Sequence, residues 1–193
     1  YRSERIYDIC DKVCWAVVEQ VRAGQIEKNG FEVAFRRDGQ IHPLEIQVGQ
    51  ETVYVEGKID RVDYLPDQRV KIIDYKTGDE TFRVEEAKAG YRLQLMLYLA
   101  AACEESRKPA GVFYFKISDP MIDGTGKELD SETLDHEIQK SFKLNGVMVD
   151  EPRVIENIAG DFSGFSEIVP LRAGKEKVTG TGKDNLLSED EFA

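Results

Sequence analysis

Hydrophobic residues in the first part of the chain recur with helical spacing. From Glu4 to Arg22 the residues Ile6, Ile9, Cys10, Val13, Val17 and Val21 fall three and four apart, which predicts an amphipathic helix. Lys28, Asn29 and Gly30 end the connection after it. Short runs of strand character follow, FEVAF, LEIQV and TVYVEGKIDRVDYL, separated by the turn-rich RRDGQIHP and GQE. After Pro66 and Asp67 comes RVKIIDYKTG. A second helix is predicted over about Val84 to Ser106, with Leu93, Leu97, Ala100 and Ala101 on one side, Arg92 and Glu105 elsewhere, and a mostly buried centre, LQLMLYLAAA. Past Lys108 and Pro109, GVFYFKI reads as an interior strand. The order helix, several strands, helix, strand predicts an α/β (α+β) domain. Beyond Asp119 the signal weakens: ISDPMIDGTGKELD reads as a loop, DSETLDHEIQKSF as a short helix, SEIVPL as a short strand and RAGKEKVTGTGKDN as a polar hairpin or loop. Residues 1–118 are therefore expected to form the core, and 119–193 an extension that packs on it or continues it. No internal repeat is present.

Composition narrows the setting. A chain of 193 residues, 41% of them hydrophobic, suits a single buried core. No stretch approaches the roughly 18 apolar residues that cross a bilayer, and YRSERIYDIC lacks a leader's apolar run, so a soluble, cytoplasmic protein without a membrane partner is expected. The chain starts on Tyr1 and breaks off at LLSEDEFA, just after Ser188 and Glu191 spell a helix-opening capping box, so it is expected to be a piece of a longer protein. Three scattered cysteines, Cys10, Cys14 and Cys103, fit a reducing compartment. Cys10 and Cys14 are spaced to share a metal, but two small core-facing residues on an amphipathic helix is the favoured reading. The net charge of −11 opposes a broad basic surface for nucleic acid. DNA chemistry remains compatible with it if neighbouring parts grip the DNA and a bound cation supplies local positive charge.

The segment GKIDRVDYLPDQRVKIIDYKTG carries the candidate chemistry. Read as a hairpin with its turn on Asp67, paired residues have numbers that sum to 134. Tyr64 then faces Val70, Val62 faces Ile72 and Asp60 faces Asp74 on one side, while Asp63 pairs with Lys71 and Arg61 with Ile73 on the other. Two carboxylates about 5 Å apart repel unless a cation neutralises them. Their hard oxygens favour Mg²⁺ or Mn²⁺. Lys76 leaves the same face about 7 Å beyond Asp74, placed to orient or deprotonate a water or to stabilise developing phosphorane charge. The main-chain carbonyl of Tyr75 can turn toward a metal held by Asp60 and Asp74. Taken singly, each of these residues reads as part of a solvated strand edge; the matched register and the apolar face leading to the charges favour a hydrolytic site.

Gly57-Lys58-Ile59-Asp60-Arg61, Ile73-Asp74-Tyr75-Lys76-Thr77-Gly78, Gly90-Tyr91 and Gln94-Leu95-Met96-Leu97-Tyr98 together resemble the motifs of RecB-like nucleases of the PD-(D/E)XK superfamily. The resemblance implies a restriction-endonuclease-like core, a mixed central sheet flanked by helices in the order α-β-β-β-α-β. It implies metal binding by Asp60 and Asp74, catalysis by Lys76, and a helix bringing Gln94 and Tyr98 beside them. Gln94 and Tyr98 lie on one helix face, where they can touch phosphate or Lys76, or else cap the helix and pack at the core's edge. AGVFYFKISDP and KLNGVMVDEPRVIENI extend the similarity to the nuclease region of the AddB family. That implies cleavage of single-stranded DNA ends in double-strand-break repair, with an AddA-type helicase subunit and the rest of the parent chain as partners.

The chain also departs from the pattern. AddB-type subunits carry an iron–sulfur cluster on four cysteines; no such set exists here and no cluster is expected in this stretch. RecB-type sites often include a histidine on an upstream helix; Glu4 to Arg22 holds none and His42 and His136 lie elsewhere, so that ligand is expected to lie before Tyr1 or to be missing. Glu32 matches an early acidic residue of the family and is a further metal-ligand candidate, with Glu56 competing and an outward-facing strand carboxylate as the alternative. Two other functions stand beside the nuclease: a catalytically weak module for DNA guidance or subunit docking, and a two-carboxylate glycosidase, which gives Lys76 no task.

Overall fold

A computed structural model describes residues 2–103, 106–119, 130–182 and 184–192; Glu105 and most of the loop expected after Ser118 lie outside these residues. Two long, mostly buried strands occupy the middle of the sheet. β5 (Arg69–Lys76) and β6 (Lys108–Lys116) are buried along most of their length and pair in parallel. Outward on one side lie β4 (Gly57–Leu65) and β1 (Lys28–Phe35), both antiparallel to their neighbours. On the other lie β7 (Asn145–Val149), antiparallel to β6, and β10 (Leu186–Leu187), parallel to β7. The result is a mixed sheet in the order β1-β4-β5-β6-β7-β10.

Helix α1 (Arg2–Ala23) lies on one face and α3 (Gln94–Cys103) on the other, where it packs on β5 and β6. The core order α1-β1-β4-β5-α3-β6 is the expected α-β-β-β-α-β. LEIQV and TVYV do not join it: β2 (Leu44–Val48) and β3 (Glu51–Val55) form a separate hairpin between β1 and β4. Residues past 119 add α4 (Ser131–Ser141), opened by Asp130 accepting the Thr133 N–H at 2.8 Å, and α5 (Pro152–Ala159), which meets α1. They also supply β7 and β10 to the central sheet. β8 (Leu171–Ala173) and β9 (Val178–Gly180) make the expected polar hairpin, and Ser188 and Glu191 close the capping box of α6 (Glu189–Phe192).

Four expectations need correction. The helix foreseen over Val84 to Ser106 is two, α2 (Val84–Lys88) and α3, because the chain turns with positive φ at Gly90 (82°) and Arg92 (52°). Its buried side is Leu95, Leu99, Ala101 and Ala102; Leu93 and Ala100 are exposed. A run that is apolar all round does not reveal its own rotation. On α1 the close approach is at the C-terminal end, where a Cβ on Gly24 would lie 2.6 Å from the Asn157 carbonyl oxygen. Ala16 and Gln20 are buried there, while Ile6, Cys10, Cys14 and Val21 are exposed, so the two cysteines do not face the core. SEIVPL forms no strand; pairing begins only at Leu171, the residue after Pro170, which has no N–H to donate.

Charge is buried beneath α1. Arg61, Asp63 and Lys71 have no solvent exposure, and Gln20 has 1%. Arg61 grips both Asp63 oxygens at 2.8 Å and donates to Gln20 Oε1 at 3.0 Å, and Lys71 Nζ lies 2.9 Å from Asp63. Burial pushes the Asp63 carboxyl up, but Lys71 and Arg61 outweigh it and hold it below its usual value; burial pushes Lys71 down. Both shifts have one sign, since the unfolded chain binds more protons at either group. The Asp63 contribution is present above its unfolded value of 3.8 and is lost as pH falls below it, so acid weakens the fold. Removing Asp63 strands two buried cations, and Asp63→Ala is expected to cost about 3–5 kcal/mol in urea unfolding. Lys71→Met leaves a one-to-one Arg61–Asp63 pair and is expected to cost under about 1 kcal/mol.

Candidate active site

The hairpin of β4 and β5 turns through Asp67 and Gln68, both at φ 58°, with the Arg69 N–H returned to the Pro66 carbonyl at 3.3 Å. The ladder pairs Leu65 with Arg69, Tyr64 with Val70, Asp63 with Lys71, Val62 with Ile72 and Arg61 with Ile73, each summing to 134. It ends there, one step before Asp60 and Asp74. In place of the next backbone bond, Asp60 Oδ2 accepts the Tyr75 N–H at 2.9 Å. On the other flank of β4, Phe31 pairs with Arg61 and Val33 with Ile59. Glu32, opposite Asp60, adopts φ 52° and drops out of the pairing, while the register continues unchanged on either side. Both ladders therefore loosen beside Asp60.

Asp74 is 2% exposed and lies 2.6 Å from Lys76 Nζ. Burial raises its carboxyl above the usual range against the opposing pull of Lys76, with Asp60 and Glu80 adding to the rise. Burial alone would lower Lys76, but its bond to Asp74 dominates with the nearby negative charge, and the ammonium form is favoured. Lys76 Nζ donates to Gln94 Oε1 at 3.0 Å, and Gln94 Nε2 to Tyr98 Oη at 2.8 Å. Helix α3 thus presents both residues to the lysine, and the Tyr98 ring rests edge-on against Phe35, centroids 5.7 Å apart.

Asp60, Asp74, Lys76, Gln94 and Tyr98 meet at one end of the sheet, on the α3 side. Glu32 does not join them: its carboxylate pairs with Lys58. Glu56 accepts the Arg37 N–H at 3.3 Å, and His136 pairs with Glu167 at 2.7 Å. Tyr114 was not foreseen. It pairs with Asp74 across β5 and β6 and lies under Lys76 Nζ, 5.2 Å from the ring centre. GVFYFKI shows a strand, but not the parallel register that puts this one ring beneath the lysine.

The donor set suits a hard divalent cation. Asp60 and Asp74 offer carboxylate oxygens, the buried Asp74 Oδ2 paired with Lys76 Nζ at 2.6 Å. Among the described residues no group of three or more His, Cys, Asp or Glu surrounds a metal position, which leaves carbonyl, water and phosphate oxygens to complete a coordination shell. The constellation lies at an open sheet end. A cavity of about 770 Å³ lies at the opposite end, lined by Lys28, Tyr64 and Arg107 among others. Cys103, half-buried, has its thiol pushed up to about 11 by burial, and so is poorly nucleophilic.

Comparison with known proteins agrees with this fold. Residues 1–169 match the PD-(D/E)XK nuclease superfamily, and the chain belongs to that superfamily. Among curated proteins it is similar to the B subunit of the ATP-dependent helicase/deoxyribonuclease of Alkaliphilus oremlandii, 35% identical over 98% of this chain. Proteins of the same name from Alkaliphilus metalliredigens and a Thermoanaerobacter species are 33% and 31% identical over 98% and 93% of the chain. The chain spans 16–17% of the length of these relatives. No helix among the described residues is long and apolar enough to cross a membrane.

Gln94→Leu removes the acceptor that aims Lys76 while leaving the carboxylates in place. Turnover of a nuclease substrate is expected to fall about 10-fold with little change in melting temperature, as checked by paired kinetics and thermal unfolding.

Proposed function

We propose that this domain hydrolyses phosphodiester bonds in single-stranded DNA, using Mg²⁺ or Mn²⁺ held by Asp60, Asp74 and the Tyr75 main-chain carbonyl. The observation that carries the reading is the buried Asp74 beside Asp60, with Lys76 on the same face. A cation bound there supplies Lewis acidity and a more acidic water. Asp74, relieved of repulsion from Asp60, then holds its charge toward that position. Lys76, kept as an ammonium and aimed by Gln94 and Tyr98, faces the phosphate oxygens on which charge grows as water adds to phosphorus and the P–O bond to the leaving oxygen breaks.

A single strand suits the surroundings. Tyr91 is 69% exposed on the turn before α3, a short step from Gln94, and offers a ring face for a base. Cations at the rim are already occupied, Lys58 by Glu32, Lys116 by Asp79 and Arg92 by Glu86, so the domain has little free charge for gripping a duplex. The names of the relatives support a place within a larger helicase–nuclease of the AddAB type, with an AddA-type motor delivering strands during break repair. The paired rim and the net charge of −11 equally favour a second reading, a docking or guidance module without turnover.

End-labelled single-stranded DNA with Mg²⁺ or Mn²⁺ separates the two. The native chain is expected to cut, and Lys76→Ala to lose about 10²–10³-fold in rate while still binding metal in calorimetry. Asp74→Ala is expected to lose both. Native protein that binds no metal at millimolar concentration supports the docking module instead. Tyr91→Ala is expected to raise KM for an oligonucleotide about 10-fold with kcat preserved, the loss of one stacked base.

A further inference from the structure

The chemistry proposed above leaves the buried cluster under α1 without a task. By strand alternation Arg61, Asp63 and Lys71 lie on the face of the hairpin opposite Asp60 and Asp74. Arg61 differs from the other two in what it joins. It follows Asp60 directly in sequence, its fork is locked on Asp63 at 2.8 Å through both arms, and it reaches α1 through Gln20 at 3.0 Å. Tyr75 lies two residues past Ile73, the strand partner of Arg61, and so on the same face of β5 as the guanidinium, whose charge acts on its hydroxyl. Tyr75 stands between Asp74 and Lys76, and its N–H is the one held by Asp60 from the other side. Consecutive residues of β4 thus act on Tyr75, Asp60 at its backbone N–H and Arg61 beside its side chain, at the point where the regular ladder has ended.

We propose that Arg61 is a positioning residue, which ties Tyr75 and α1 together behind the sheet and so holds Asp60 and Asp74 at the spacing that binds a divalent cation. The inference rests on the metal-dependent reading of the site.

A count of charge separates this role from plain stability. Asp63 needs one cation, and two are present. Lys71, at 2.9 Å, is sufficient by itself to neutralise it. What an ammonium cannot do is close on both Asp63 oxygens and still point a planar N–H at Gln20. Arg61→Met and Lys71→Met therefore form a matched pair. Each removes one buried cation and leaves one pair, but only the first removes the link to Tyr75 and α1.

Mn²⁺ affinity, read by calorimetry or by the spin signal of free Mn²⁺, and thermal unfolding are to be measured on the native chain and both variants. Arg61→Met is expected to weaken Mn²⁺ binding about 10-fold, with Lys71→Met at the native value and all three melting cooperatively. Equal affinity in native and Arg61→Met protein, or an equal loss in Lys71→Met, overturns the inference while leaving the metal site intact. Should Arg61→Met not fold, Arg61→Lys keeps the charge without the fork: weakened Mn²⁺ binding with an unchanged circular dichroism spectrum supports the role, and native affinity overturns it. No Mn²⁺ binding by the native chain at millimolar concentration removes the metal reading, and the inference with it.

Discussion

The register of the β4–β5 hairpin is the constraint on which the rest depends. The left-handed backbone at Asp67 and Gln68 sets which residues face each other, and side chains alternate from there. A slip of one residue would move Asp74 and Lys76 to the α1 side and carry Lys71 toward α3. Burial on both faces makes that slip prohibitive, because each face holds charges with partners only in the observed register.

The two faces carry opposite excess charge. Asp60 and Asp74 make the α3 side acidic, offset by Lys76, while the α1 side holds two cations against Asp63. In a low-dielectric sheet this arrangement lets each face offset part of the other's desolvation. It also explains how an acidic protein can prepare a place for a cation: two carboxylates, Asp60 and Asp74, are brought together at one sheet end and held there by the Tyr75 N–H and Lys76.

Much of this was legible in the sequence, and the reasons are local. The hairpin arithmetic needs only a turn and the two-residue period, so the pairing of Asp63 with Lys71 followed from residue numbers, while the ladder stops one step short of Asp60 and Asp74. The spacing of Gln94 and Tyr98 likewise needs only a helix. What escaped depends on contacts distant in sequence. The rotation of α3 is set by what it meets, not by its own uniformly apolar run. The exposed half of α1 follows from how far the sheet extends beneath it. Tyr114 required the parallel register of β5 and β6, and the closed Arg61–Asp63–Lys71 cluster required knowing that α1 covers it with Gln20. Glu32 sits opposite Asp60 as strand counting suggests, yet at its left-handed backbone it leaves the ladder and pairs with Lys58.

The short loop at Asp67 also bears on how the domain assembles. Both carboxylates belong to one hairpin whose ends close over three residues, among the fastest events available to a chain. Gln94 reaches Lys76 across 18 residues of chain, a longer loop whose closure costs more entropy than the hairpin's. The acid pair is thus set by a local turn, and the lysine clamp by a longer-range contact laid upon it.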